Sequence, residues 1–413
     1  MRWRRLKRER RVEEESAPNR EAPMCNNCQS GYLDETLRLA GMGRGQVFPN
    51  PMVGSVVLKE DRVVGRGYHR RYGSLHAEAE ALKEAGDRAR DGVLYCNLEP
   101  CSYTAPEKHQ PPCTDRIIEA GVAQVVIGQL DPNPRVRGRG VRKLQEAGIE
   151  VLLEERPEEF LRFNDAFNTY MSLRRPFVHL KLAMSLDGRI ATFRGDSKWI
   201  SDEAARREVH ALRAEREAVA VGVGTVIADD PSLTVRLVEG SSPKAVIFDS
   251  HLRTPPGSTL LRERPDQTVI LAATPPAEDP GFNLRREKLE STGATVLLGD
   301  SDGGRVDLAS ALQNLREAGV RSLLVEGGSE LATSFLREEL FDRLTAYLAP
   351  IVIGSGVNGV GNLEVDAVCR ALRFEGVRWR SLGDQQVFDA YRLGWIDEVT
   401  APLEEYTNVY RAS

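Results

Sequence analysis

The 413-residue chain contains no run of eighteen or more apolar residues, which excludes an ordinary transmembrane helix. Its charged opening, MRWRRLKRER, is followed by no apolar stretch of the kind that makes a secretory signal, so a soluble, cytoplasmic protein without membrane partners is expected. Cysteine is scarce, six residues in all, too few for a disulfide scaffold in a chain of this length. In a reducing compartment clustered cysteines are more often metal ligands or catalytic, which singles out Cys96, Cys101 and Cys113. The isolated Cys369 is expected to be a small buried hydrophobe. Positive charge is not in excess either. A formal net charge of -5, with no stripe of interleaved aromatic and basic residues, disfavours nucleic acid as a partner. No GxGxxG is read in the second half, so an ordinary Rossmann dinucleotide site is not expected. No internal repeat is present, and the two halves are expected to be different folds.

What is present is α/β patterning over more than one core's worth of sequence. Residues 1–30 are charged and lack an apolar period, and they predict a disordered basic extension. Its Cys25-Asn-Asn-Cys28 has CxxC spacing without a second pair and is read as coincidence. From Tyr32 the pattern turns globular. "YLDETLRLA" has helical spacing, "MVGSVVLKE" and "DRVVGRGY" predict strands joined by a tight turn, and "HAEAEALKEAG" predicts a helix ending at Gly86. Strand "GVLYCNLEP", helix "CTDRIIEAG" and strand "VAQVVIG" follow, giving a three-layer unit over residues 31–174. After "MSLRRP" a second unit spans 175–396. It starts with strand "FVHLKLAMS" and a helix capped by Ser201, and closes with strands in "LTAYLAPIVIG", "LRFEGVRWRS" and "QQVFDAYRLG". Residues 397–413 are expected to be a tail.

The first chemical signal is His76-Ala-Glu78. Alone, HxE carries little, because residues two apart on a helix do not face each other. At a helix entry, however, both side chains reach one point. "LEPCSYTAPEKHQPPCTD" supplies two more ligands, Cys101 after a strand and Cys113 ahead of a helix, each following proline. One imidazole and two thiolates hold zinc with the fourth position open, which is the catalytic arrangement. HxE with a later PCxxC is the signature of zinc nucleobase deaminases, in which the glutamate shuttles protons and is not a ligand; here the second cysteine follows eleven intervening residues rather than two.

The order HAE, strand, EPC, PPC, helix, with "FPNPMVGSVV" and "GYH" ahead and "DPNP" behind, resembles the bifunctional deaminase/reductase family of riboflavin biosynthesis. The loop between the cysteines is longer here than in that family, and Tyr103 stands where histidine is expected. The resemblance implies a cytidine-deaminase-like three-layer α/β/α domain followed by a dihydrofolate-reductase-like α/β domain. It implies that His76, Cys101 and Cys113 bind Zn2+, that Glu78 is the proton shuttle, and that Asn50 contacts the pyrimidine. A turn role for Asn50, between two prolines, is nearly as good a reading.

In the second half, "SLLVEGG" runs into paired glycines and a helix, where unpaired N–H groups suit a diphosphate. "KLAMSLDGRIA", "GVGTVIADDPSLTVR" and "LLVEGGSELATSFL" resemble the reductase domain of the same family, which uses NADPH. The resemblance implies cofactor contacts at Ala183, Trp199, Thr225, Asp229, Leu233 and Ser250, with the diphosphate over Gly328, Ser329, Glu330, Leu331, Ala332, Thr333 and Ser334. It implies substrate contacts at Ser197, Arg213, Arg236 and Glu326, the arginines holding a phosphate in fork geometry. Lys181, on an otherwise apolar strand, is the candidate to polarise a sugar carbonyl. Asp229-Asp230-Pro231 is read as turn chemistry rather than a metal site. The implied substrate is a small phosphorylated pyrimidine, and a homo-oligomer is expected. Two other readings are weaker: a deaminase acting within nucleic acid conflicts with the acidic balance, and a non-enzymatic scaffold has no need of an open zinc site.

Overall fold

The computed structural model describes residues 26–104, 110–275, 279–404 and 406. The first unit comprises α1 (Asn26–Gly41), β1 (Gly54–Lys59), β2 (Arg62–Tyr68), α2 (Ala77–Ala85), β3 (Val93–Cys96), α3 (Cys113–Ala120), β4 (Gln124–Ile127), α4 (Arg139–Glu146), β5 (Glu150–Leu153), α5 (Glu158–Phe163) and α6 (Asp165–Leu173). Its sheet runs β2-β1-β3-β4-β5, with β1 antiparallel to both neighbours and β3, β4 and β5 parallel. Alternation along the strands sorts the core onto two faces. Val56, Leu58, Tyr95 and Val126 meet α1 and α5, whereas Val57, Leu94, Val125 and Ile127 meet α2, α3 and α4. The result is the expected three-layer domain. The tight turn between β1 and β2 has both Glu60 and Asp61 at positive φ, 50° and 57°, as a two-residue hairpin turn matched to strand twist requires.

The second unit comprises β6 (Phe177–Ser185), β7 (Arg189–Thr192), α7 (Glu203–Ala214), β8 (Ala218–Gly222), α8 (Val223–Asp229), β9 (Lys244–Phe248), α9 (Thr259–Glu263), β10 (Thr268–Ala273), α10 (Pro280–Glu290), β11 (Thr295–Gly299), the short β12 (Ser301–Asp302) and β13 (Arg305–Val306), α11 (Leu308–Glu317), β14 (Ser322–Val325), α12 (Ser329–Arg337), β15 (Arg343–Ala349), β16 (Gly356–Asn358), β17 (Phe374–Leu382), β18 (Gln385–Arg392) and α13 (Trp395–Thr400). Nine strands form one sheet, β11-β10-β9-β8-β14-β6-β15-β18-β17. It is parallel from β11 to β15 and antiparallel at the β15, β18, β17 edge. Buried clusters cover both faces. Among the described residues no helix is long and apolar enough to cross a membrane.

Several expectations change. Helix α1 begins at Asn26 and so includes the last five residues assigned to the extension; residues 1–25, Cys25 among them, lie outside the described residues. The cap of α7 is Asp202, whose carboxylate accepts from the Ala205 main-chain N–H, rather than Ser201, because the acidic neighbour fits the same position. Gly354, Gly356 and Gly359 have GxGxxG spacing, but Gly356–Asn358 is β16 paired with β7 and not a strand-to-helix turn. Cys369 is exposed rather than buried.

Of the expected tail, the described residues 397–404 are packed against the rest of the chain. Trp395 and Val399 are buried with Leu161 and Phe177, and Leu403 enters the core beside Leu144 in the first unit. Ser172 Oγ donates to the Val399 carbonyl and Arg137 to that of Pro402. The two units also meet at Asp165, a buried carboxylate that accepts from Arg216 at 3.1 Å and Arg343 at 3.3 Å. Burial pushes Asp165 up, but the two arginines outweigh it and hold the carboxyl below its ordinary range.

Candidate active sites

His76 is the N-cap of α2, with φ -72° and ψ 159°, so its imidazole leaves the helix end instead of lying along it. Helix α2 comes this close because β2 carries glycine: a Cβ on Gly67 would sit 2.2 Å from the Ala77 carbonyl. Cys113 opens α3, and its main-chain N–H donates to Cys101 Sγ at 3.4 Å. The three ligands converge, with His76 Nδ1 lying 3.3 Å from Cys113 Sγ and 3.7 Å from Cys101 Sγ. All three donor atoms fall within 4.8 Å of one another, the one such cluster found among the described residues. Cys96, inspected with them, is buried in β3 with its thiol toward the Val126 carbonyl.

This donor set suits a cation. Without one, the neighbouring Cys101, burial and the Glu78 charge all push the Cys113 thiol well up, whereas a bound cation reverses that sign. Glu78, in the first turn of α2, is almost fully buried, and its Oε2 has no hydrogen-bond partner. Burial raises its carboxyl. An unpartnered carboxylate oxygen beside three metal donors is fitted to handle a proton there.

His76, Glu78 and Cys101 line a cavity of about 350 Å3 together with Asn50, His69, Tyr103, Gln110 and others. His69 Nδ1 faces the Leu75 carbonyl at 3.0 Å, so it carries the proton and Nε2 accepts from Asn50 Nδ2 at 3.1 Å. The Asn50 amide is thereby oriented. Glu99, also in the lining, accepts from the main-chain N–H groups of Asp131, Gly138, Gly140 and Val141. Burial pushes it up to about 7 against those four donors. It anchors the Cys101 loop to the start of α4. Sequence reading missed Phe167, Tyr170, Met171 and Arg321, which line the same cavity from α6 and from the second unit.

A second cavity, about 720 Å3, opens past the ends of β8 and β14, over the middle of β6, near the usual place for ligands in a parallel sheet. Of the expected residues, Lys181, Ala183, Ser197, Trp199, Arg213, Thr225, Asp229, Leu233, Arg236, Glu326 and Gly328 line it. Ser250 does not: its hydroxyl accepts from the Val306 main-chain N–H at 3.0 Å. Ser329, Glu330, Leu331, Ala332, Thr333 and Ser334 are also outside the lining, and Ala332 packs into the core. The cavity meets this segment at Gly327 and Gly328, where α12 starts, and the N-terminus of α12 suits a diphosphate. Burial and the Arg213 charge lower the Lys181 ammonium, against the pull of Glu326. Asp230 is committed to the turn, accepting from the Thr259 N–H and hydroxyl, each at 2.7 Å.

Arg206 and His210 were missed. The Arg206 guanidinium lies 4.5 Å from the Trp199 ring centroid, and His210 Nδ1 accepts from the Arg236 main-chain N–H. With Val209 and Arg213 they line the cavity from one side of α7 at i, i+3, i+4, i+7 spacing, a signal the sequence did carry.

The two sites define a domain with a His/Cys/Cys metal-type cluster joined to a mixed α/β domain with a ligand-sized cavity. Comparison gives them a family. Residues 27–129 match the cytidine and deoxycytidylate deaminase zinc-binding region, and residues 176–388 match the RibD C-terminal domain. Riboflavin biosynthesis protein RibD of Aquifex aeolicus is 39% identical over 88% of this chain and 98% of its own length. Its Escherichia coli counterpart is 38% identical over 85% and 96%. Among solved structures, Acinetobacter baumannii RibD superposes with a TM-score of 0.77 at 33% identity, covering 89% of this chain and 99% of that one. A Thermotoga maritima deaminase/reductase gives 0.73 at 34%, with the same coverage. The chain belongs to the RibD family and is a bifunctional deaminase/reductase of riboflavin biosynthesis.

Proposed function

We propose that the first domain converts a phosphoribosylamino-substituted diaminopyrimidinone to the corresponding uracil with loss of ammonia, and that the second reduces the ribosyl chain to ribityl with NADPH. The Thermotoga maritima relative carries the description diaminohydroxyphosphoribosylaminopyrimidine deaminase/5-amino-6-(5-phosphoribosylamino)uracil reductase, which supports these substrates. The observation that carries the reading is the meeting of His76, Cys101 and Cys113 beside the unpartnered Glu78 Oε2.

His76, Cys101 and Cys113 hold zinc, which when bound supplies a Lewis acid that brings water into its reactive range near neutral pH. Glu78 Oε2 takes the proton of the attacking water and hands it to the departing amino group. Asn50, its amide nitrogen occupied by His69, offers its carbonyl oxygen to a ring N–H. In the second cavity Lys181 polarises the carbonyl of the opened sugar, and its lowered ammonium places a donor proton there. Glu326, Ser197 and Arg236 hold the substrate, and Arg213 orients Glu326. Ala183, Trp199, Thr225, Asp229, Leu233 and Gly328 receive the nicotinamide nucleotide, which when bound supplies the hydride.

The test measures zinc content and deamination on the wild type and on Glu78→Gln, with and without NADPH. The reading expects one zinc per chain in both proteins, uracil from the wild type alone with turnover lowered about 10²- to 10⁴-fold in the variant, and further reduction only when NADPH is added. Absence of zinc, or deamination that survives the substitution, removes the deaminase assignment.

A further inference from the structure

Arg321 belongs by sequence to the second domain, one residue ahead of β14, yet it lines the cavity of the first. Among the described residues of that lining it is the one lysine or arginine, and it shares the lining with the carboxyl groups of Glu78, Glu99 and Asp131. A substrate bearing a phosphate dianion meets a cavity of its own sign unless a cation offsets it. Neither imidazole offers one: His76 faces two thiols, and both His69 ring nitrogens are engaged, one by Leu75 and one by Asn50.

Arg321 is also held for the purpose. Its guanidinium carbon lies 5.6 Å from the Tyr170 ring centroid, and Arg316 approaches the same ring at 5.7 Å. Glu217 accepts from the Arg321 main-chain N–H at 2.6 Å and from Nη1 at 3.3 Å. That leaves Nη2 and Nε without a partner among the described residues, in a side chain 31% exposed. A planar edge of two donors fixed over an aromatic ring matches two phosphate oxygens.

We propose that Arg321 recognises the phosphate of the deaminase substrate, so that the reductase domain supplies a specificity-determining residue to the other domain's site. This rests on the deaminase reading above. It also gives the shared cavity wall of Phe167, Tyr170 and Met171 a role: α6 joins the domains and sets the distance from the ligand cluster to the cation.

The experiment measures KM and kcat for deamination of the phosphorylated pyrimidine and of its dephosphorylated counterpart. The full-length zinc-loaded proteins compared are wild type, Arg321→Ala, Arg321→Lys and Glu217→Gln, with NADPH-dependent reduction as the check that each is folded. Arg321→Ala is expected to raise KM for the phosphorylated substrate about 10- to 100-fold with kcat nearly unchanged, the worth of one charge-assisted contact. It leaves the dephosphorylated substrate unaffected, and Arg321→Lys recovers part of the loss. An equal effect of Arg321→Ala on both substrates overturns the proposal, as does a Glu217→Gln protein whose KM rises equally for both substrates, because the pair would then be structural. If the wild type itself deaminates neither substrate, the underlying reading has failed, an outcome distinct from the loss of phosphate preference in a working enzyme.

Discussion

Arg213 and Glu326, 113 residues apart, are joined at two points: Nε donates to Oε1 at 2.6 Å and Nη2 to Oε2 at 2.9 Å. Nη1 is engaged as well, donating to the Thr234 carbonyl at 3.0 Å. The fork that sequence reading assigned to a phosphate is therefore turned onto a carboxylate at the cavity wall. Arg236 is exposed, its Nη1 bonded only to the neutral hydroxyls of Ser232 and Thr234, which leaves it as a cation open to the ligand.

The two arginines should consequently fail in different ways. Arg213→Ala strands the nearly buried Glu326 charge and is expected to lower thermal stability by an amount equivalent to about 3–5 kcal/mol, together with reductase turnover. Arg236→Ala is expected to raise KM for the phosphorylated reductase substrate while stability moves by no more than about 0.5 kcal/mol. Thermal melts beside steady-state kinetics separate the cases. Equal loss of stability in both variants would contradict the division.

A chelation series tests the metal reading from the stability side. Cys113 is buried and forms the first residue of α3, so metal held there ties α3 to α2. Removing zinc with a chelator is expected to lower the melting temperature of the wild type and leave Cys113→Ala unmoved, because binding to the folded state alone stabilises it. A chelator shift of the same size in the variant would place the metal elsewhere.

Much of this was legible in the sequence, for identifiable reasons. Strand alternation and glycine-closed helices gave the elements, since Gly86 and Gly121 do end α2 and α3. The three metal ligands were readable because each stands at an element's edge beside a proline or a helix start. What escaped depends on packing between segments far apart in the chain. Nothing local in "AGVRSLLVEGG" says that Arg321 reaches a cavity built around His76. The stretch after residue 396 reads as a polar tail because, among its described side chains, only Val399 and Leu403 are buried. Ser250 was carried by resemblance alone, and its hydroxyl serves β13.

That chain end supports a third prediction. Trp395 is fully buried, stacks on Tyr391 with centroids 4.6 Å apart, and donates its indole N–H to Thr169 Oγ1 at 2.9 Å. It pins α6 of the first domain to the last strand of the second. Trp395→Ala is expected to cost about 3–5 kcal/mol, and Trp395→Phe, which keeps most of the volume but not the donor, roughly 1–3 kcal/mol. Chemical denaturation with fluorescence detection measures both. A variant of either kind at wild-type stability would mean that this helix does not contribute to the fold.

Acid sensitivity follows from the groups around Asp165. His179 is fully buried; its Nε2 donates to Thr345 Oγ1 at 2.8 Å, and its Nδ1 accepts from Arg216 at 3.5 Å. Burial, reinforced by the charges of Arg343 and Arg216, holds it well below its ordinary value of 6.5. His210 is likewise pushed down, by burial first, to about 4. Below 6.5 the unfolded chain takes up protons at these positions that the folded chain refuses, so the imidazoles' contribution is complete above that pH and is lost as the solution is acidified, while Glu99, pushed up to about 7, acts in the opposite sense by taking up a proton in the folded chain. Asp165, held below 3.8, begins to add to the loss only near that lower pH. Each imidazole contributes a slope of at most about 1.4 kcal/mol per pH unit. Between pH 7 and pH 5 the difference in unfolding free energy between the wild type and His179→Gln should therefore shift against the wild type as the pH falls, because the variant has no proton to refuse while Glu99 acts alike in both. An identical slope in the variant would show that His179 titrates alike in both states, and that the arginines on either side of it do not exclude its charge.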